Sequence, residues 1–199
     1  MTKVIIVVNG KPRAGKTTLM DSLIFENIQT VSRISSITPV KEAAVCLGWG
    51  RVKTPESRAF LSKLKALSTE TYDGPMRYLI KNVDEFYNNE KSKLMFVEIR
   101  EADQIARFVE KMKNMDMDVQ VHTMYIERID ENGDIINKVP VGNSSDDQAL
   151  YANFPYDLLF KNVDMENGSS LGLSKINFKS WICKDLFPWL ELNIVNPKE

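Results

Sequence analysis

Residues 3–18 read KVIIVVNGKPRAGKTT, and this stretch decides the fold. VIIVV at 4–8 is a β-branched run without alternation, the pattern of a parallel strand buried on both faces. Directly after it, Gly10-Lys11-Pro12-Arg13-Ala14-Gly15-Lys16-Thr17 fits the pattern Gly-x-x-x-x-Gly-Lys-Ser/Thr. The period then changes: Met20, Ile24 and Ile28 recur at four-residue spacing with Leu19 and Leu23 beside them, which predicts a helix with one apolar stripe. In a strand–loop–helix context such a loop holds phosphates. Its backbone N–H groups point inward, its glycines let the chain bend and approach closely, and the helix start adds positive potential. Gly10, Lys11, Arg13, Ala14, Gly15, Lys16, Thr17 and Thr18 are therefore the candidate nucleotide-phosphate contacts. Lys16 would place a point charge on the β and γ phosphates, and Thr17 would offer its hydroxyl to magnesium. The bland alternative, a glycine turn with a solvated lysine, does not account for the flanking strand and helix.

Outward from the loop, short strands alternate with helical patterns. A weak strand spans 31–37, and Pro39 opens a short helix that runs to Leu47. Thr54-Pro55 is a cap followed by a first-turn proline, after which Phe60, Leu61, Leu64 and Leu67 face one side. Asp73-Gly74-Pro75 ends that helix and starts another, with Met76, Leu79, Ile80, Val83, Phe86 and Tyr87 on its apolar face. A strand at 94–99, a helix marked by Ile105, Phe108, Val109 and Met112, and a long strand at 119–129 follow. Glu131-Asn132-Gly133-Asp134 signals a tight hairpin with a returning arm at 135–139. Ser145 with Gln148 suggests a capped helix at 146–152, then come a strand at 156–160 and a closing helix at 173–192 with Trp181, Ile182 and Leu186 inside. Five strands separated by helices imply a mostly parallel sheet with helices on both faces. The helical excursion after the second strand has no place in a minimal version of that α/β fold, so it reads as an inserted substrate or partner region.

Phosphoryl transfer needs positive groups where charge develops on the transferred group. Two arginines stand at element ends, where such sheets bind ligands. Arg100 follows the 94–99 strand and Arg128 sits at the base of the hairpin. Glu98, near the end of the same strand as Arg100, could help hold a magnesium-bound water. A surface salt bridge for each arginine and a strand-end carboxylate for Glu98 are the plain alternatives. The excursion carries Lys41, Arg51, Lys53, Arg58, Lys63, Lys65 and Arg77. Arg58 and Lys65, seven apart, share a helix face that suits either an anion site or solvent. Arg58 is kept as a candidate, whereas Lys63 and Lys65 read as a solvated face. His122, inside a strand, reads as structural, and Trp49, Trp181 and Trp189 as core or rim.

Composition sets the outer bounds. The chain has 199 residues with 26 basic and 27 acidic side chains, a net charge of −1. That balance argues against nucleic-acid polymers and acidic membranes as partners. Cys46 and Cys183 form neither a zinc site nor a disulfide scaffold. No apolar stretch is long enough to span a bilayer and no signal peptide is evident, so the expected location is cytoplasmic. The only Asn-Lys pair, Asn137-Lys138, precedes Val139-Pro140, so the Asn-Lys-x-Asp guanine signature of GTPases is missing.

Together these features resemble the P-loop nucleoside monophosphate kinases, and more closely their deoxynucleoside-monophosphate-kinase-like branch of phage and bacterial genomes. Besides the loop, the resemblance rests on SSITPVKEAAVCLGWGRVKTPESRAFLSKLKALS at 35–68, YDGPMRYL at 72–79, FVEIRE at 96–101 and YDLLFKN at 156–162. It implies one P-loop NTPase domain over 1–199, with a helical acceptor-binding insertion about 38–90 and a short hairpin lid about 127–152. ATP and Mg2+ would be the cofactors and a small-molecule nucleotide the acceptor, with the protein a monomer or homodimer. Lys16, Arg100 and Arg128 would be catalytic, and Lys41, Arg58 and Arg100 would bind the acceptor. Thr17 and Glu98 would serve the metal, with Glu101 a second candidate for the acidic role after the third strand. The adenine-side loop would lie near 162–164. Other readings that stay open are a kinase for a nucleoside or coenzyme precursor, and a nucleotide-binding module without catalysis.

Overall fold

The computed structural model describes residues 3–25, 31–130, 132–136, 154–163, 180, 181 and 184. In chain order these form β1 (Lys3–Gly10), α1 (Lys16–Phe25), β2 (Val31–Ser35), α2 (Thr38–Cys46), α3 (Pro55–Tyr72), α4 (Gly74–Asn88), β3 (Leu94–Glu98), α5 (Ala102–Lys113), β4 (Val119–Ile129) and β5 (Leu158–Val163). The sheet has five strands in the order β2-β3-β1-β4-β5, and every pairing is parallel. β1 lies at the centre, and its unbroken apolar run is buried from Val4 to Val8. Val4, Ile6 and Val8 join Leu19, Met20, Phe96, Met124 and Phe160 on one face, and Trp181 packs on that cluster. Ile5 and Val7 join Met76, Leu79, Val83, Phe86, Ile105, Phe108 and Met112 from α4 and α5 on the other. A strand that feeds two cores has no polar face to show, which is why its sequence does not alternate.

The strand order changes direction beside β1, between β3 and β4. Ligands of open α/β sheets bind outside the carboxyl ends of the strands at such a switch point. Register carries Gly10 opposite Ile126 and Glu98 opposite both Val8 and Ser35, so the loop after β1 and the end of β3 meet there.

The helices α2 to α4 form the excursion between β2 and β3. Thr54 caps α3 as expected, in a reciprocal box with Ser57: each side chain accepts from the other's backbone N–H. Asp73, in left-handed backbone at φ 50°, ends α3, and α4 begins at Gly74. Its carboxylate is held by the Arg107 guanidinium of α5, with Nη2–Oδ2 at 3.0 Å. The apolar face expected of α4 is buried, but that expected of α3 is not: no α3 residue is buried, and Leu67 is 61% exposed.

Several boundaries differ from the sequence reading, among them β2, which ends at Ser35 rather than 37. β5 begins at Leu158, not 156, because Asp157 is occupied: its carboxylate accepts from Thr123 N at 2.7 Å and Thr123 Oγ1 at 2.8 Å. It continues to Val163 because Lys161 and Asn162 pair with Glu127 and Arg128. Residues 127–129, assigned to the lid, belong to β4. The hairpin signal is real at its base, where Gly133 adopts φ 89° and Ile135 bridges Ile129 in antiparallel sense. The rest of the returning arm and the helix at 146–152 lie outside the described residues, as does most of the closing helix. Among the described residues, no helix is long and apolar enough to cross a membrane.

Candidate active site

The loop between β1 and α1 is shaped from below by three strands. Gly10, buried at φ 149°, passes so close to β4 that a β-carbon there would sit on the Ile126 carbonyl oxygen. Asn9 is fully buried. Its Oδ1 accepts from Gly10 N at 2.7 Å, and its Nδ2 donates to the Arg100 carbonyl at 3.1 Å and to the Tyr156 hydroxyl at 2.7 Å. Gly15, at φ 89°, lies against Asn162, with 2.5 Å between its would-be β-carbon and Nδ2. That same Nδ2 donates to the Ala14 carbonyl at 2.9 Å. Asn162 was expected in a loop after β5 but is a strand residue that fixes the loop between β1 and α1.

Lys16 Nζ donates to the Gly10 and Lys11 carbonyls at 2.6 and 2.8 Å, so its stem arches over the loop. Arg13 to Thr18 line the cavity described below, whereas Gly10 and Lys11 shape it from behind. Arg128, near the end of β4, does not line the cavity; its Nη1 donates to the Arg13 carbonyl at 3.2 Å. It therefore braces the loop's outer rim.

At the foot of α1, Thr17 Oγ1 lies 3.4 Å from Glu98 Oε1. The same carboxylate oxygen accepts from Arg33 Nη1 at 2.8 Å, and Arg33 Nε reaches Asp21 Oδ1 at 2.9 Å. A hydroxyl and a carboxylate side by side are hard oxygen donors. Mg2+ keeps several waters and takes one or two protein oxygens beside substrate phosphates, so these residues fit it.

The loop and the end of β3 open into a cavity of about 780 Å³ that extends under α2 and α3. It collects Lys41 from α2, Lys53, Arg58 from α3 and Arg100 beyond β3, with Trp49 at its rim. Burial pushes the Lys41 ammonium below the usual lysine range, and Lys53 and Arg100 push the same way against an opposing Glu98. Lys65, read from sequence as solvated, instead lines this cavity. Its Nζ lies 2.5 Å from Glu101 Oε1, with both side chains mostly buried. This pairing engages one Glu101 oxygen, whereas it is Glu98 that reaches Thr17. Lys63 is exposed, as expected. His122 lies in β4, away from the cavity; burial lowers its pKa against an opposing Asp157.

Sequence reasoning missed Arg33 and Asn9 and gave Asn162 to a loop after the last strand. Each works through a partner distant in the chain, and nothing in its local pattern marks it.

No protein-family model and no curated protein matches the chain. Solved structures do. A protein from Chloroflexus aurantiacus, provisionally called a kinase, aligns over 94% of this chain and 97% of its own at 13% identity, with a TM-score of 0.53. The chain has the P-loop kinase fold. A shikimate kinase from Bacteroides thetaiotaomicron covers 95% of this chain and 99% of its own at 19% identity and TM-score 0.45. TT1252 from Thermus thermophilus covers 90% and 98% at 13% identity and TM-score 0.43.

Proposed function

We propose that the protein transfers the γ-phosphoryl group of Mg·ATP to a nucleoside monophosphate, ribo- or deoxynucleotide. The observation that carries this reading is the gathering of Lys41, Lys53, Arg58 and Arg100 in the same cavity as the phosphate-binding loop. Burial first, then the nearby Lys53 and Arg100, lower the Lys41 pKa, so an uncharged acceptor would leave that ammonium in an unfavourable setting. A phosphate on the acceptor relieves this, and arginine's planar fork holds two of its oxygens at once.

In this reading α2 to α4 form the acceptor-binding insertion of a P-loop kinase domain. An ionised phosphate oxygen of the acceptor attacks the γ-phosphorus, the new O–P bond forms as the bond to the β–γ bridging oxygen breaks, and ADP leaves. The attacking oxygen needs no general base. The protein contributes alignment and charge: Lys16 on the donor phosphates and Arg100 between donor and acceptor. Thr17 and Glu98 would hold the magnesium ion, which neutralises charge on the donor phosphates when bound.

The test is ADP release from Mg·ATP against a panel of ribo- and deoxynucleoside monophosphates, with Lys16→Ala and Arg100→Gln as controls. One or more monophosphates should stimulate release, and each substitution should lower it by on the order of a hundredfold or more. Tight ATP binding with no stimulation by any monophosphate sinks the reading and turns the search to a kinase of another small acceptor, then to a binding module.

A further inference from the structure

We infer that Arg33 is a positioning residue that sets Glu98 for magnesium, an inference that rests on the Mg·ATP reading above. Arg33 stands on β2 and does not line the cavity. Its guanidinium spans two carboxylates, with Nε 2.9 Å from Asp21 on α1 and Nη1 2.8 Å from Glu98 on β3. The chain of contacts closes through Thr17, one helical turn before Asp21, whose Oγ1 lies 3.4 Å from the same Glu98 oxygen. A strand-end carboxylate alone would choose among rotamers. Here one of its oxygens is held by a rigid fork that is itself anchored on the helix bearing Thr17. Arg33 therefore fixes the gap between the hydroxyl and the carboxylate, and ties the start of α1 to the end of β3. The three side chains are 33%, 26% and 15% exposed for Asp21, Arg33 and Glu98, so the network is shielded without being sealed.

Position and field make opposite predictions. If Arg33 acted only through its charge, removing it would draw a cation closer and lower the magnesium needed. If it positions Glu98, removing it frees the carboxylate and raises that requirement. Outer partners of metal ligands set affinity by about 10–100-fold, so Arg33→Gln should raise the magnesium midpoint about tenfold.

The measurement is calorimetric ATP affinity across a magnesium series, with no acceptor present, for the wild type, Arg33→Gln and Arg33→Lys. The lysine variant keeps the charge but loses the fork, so its midpoint should fall between the other two. It also carries the test should the glutamine variant fail to fold. ATP affinity in EDTA should stay within about threefold of wild type in both variants, a bound drawn from weak exposed-charge effects. An unchanged or lowered midpoint in Arg33→Gln, or a wild-type midpoint in Arg33→Lys, overturns the assignment. The two readings fail separately. A wild type that binds ATP in a magnesium-dependent way yet phosphorylates no monophosphate overturns the proposed function and leaves Arg33 its role. Wild-type binding that ignores magnesium overturns both.

Discussion

Gly10 shows how much of the site depends on the absence of one atom. Its φ of 149° and the Ile126 carbonyl behind it leave no room for a side chain, and Ile126 lies inside the β1–β4 ladder, where it cannot retreat. Gly10→Ala should therefore cost about 2–4 kcal/mol through strain and overpacking. In thermal unfolding, ~2–4 °C of Tm per kcal/mol applies to a chain of this size. Gly50→Ala, where an added β-carbon meets nothing within 4 Å, is the control and should shift stability by under about 1 kcal/mol. Equal Tm values for the two variants would contradict this account. The loop glycines were legible in sequence because the pattern encodes a local backbone shape. Arg33 and Asn162 were not, since their partners Glu98 and Ala14 lie 65 and 148 positions away. Lys65 was misread for the same reason: helical spacing reports which face a residue shares, not which carboxylate waits across a cavity.

At the scale of elements, α3 is the exception among the helices. α4 and α5 bury their apolar stripes against the sheet, but α3 buries none of its residues. Its sequence carries a stripe at Phe60, Leu64 and Leu67 as regular as theirs, and periodicity cannot say whether a partner surface exists. What fixes α3 is polar: the Thr54 box at its start, the Lys65–Glu101 pair midway and the Asp73–Arg107 pair at its end. Losing the cap should then loosen α3 selectively. Thr54→Ala is expected to cost about 1 kcal/mol, seen as faster amide exchange in the first turns of α3 with little change in α4 or α5. Uniformly faster exchange across all three helices would show that α3 is more tightly coupled to the core than its burial indicates. The succession of strands and helices along the chain and most boundaries were legible, because buried parallel strands and capped helices declare themselves locally, whereas the spatial order of the strands was not. The β5 start was missed because Asp157 turns its carboxylate back onto Thr123, a tertiary contact.

Across the whole molecule, the sheet brings cations from four separate segments to one cavity, and Lys41 registers the result. Its pKa lies below the usual 10.5, first through burial and then through Lys53 and Arg100. For a base with a depressed folded-state pKa, the penalty applies in full while Lys41 is charged in both states. It is relieved as pH rises through the lowered value toward 10.5, so this group's contribution to stability improves with alkalinity. In the proposed reaction, acceptor binding has the opposite sign. A phosphate favours the protonated ammonium, so affinity holds below the lowered pKa and falls above it. The acceptor KM should accordingly rise in alkaline solution, and Lys41→Gln should raise KM at neutral pH while flattening the alkaline rise. A wild-type KM that stays level, or a rise that persists unchanged in Lys41→Gln, would remove Lys41 from the acceptor site.

The hydrogen bond from Asn162 to Ala14 also bears on how the protein is made. During synthesis the glycine–lysine signature at 10–17 is made well before the residue that braces it. The side chain that holds the signature in shape is added 148 residues after Ala14, on the outermost strand of the sheet. Through those 148 residues of synthesis a nascent chain carries the signature without this brace. The loop's full shape belongs to the completed sheet, and a half-made chain has only the letters of the motif.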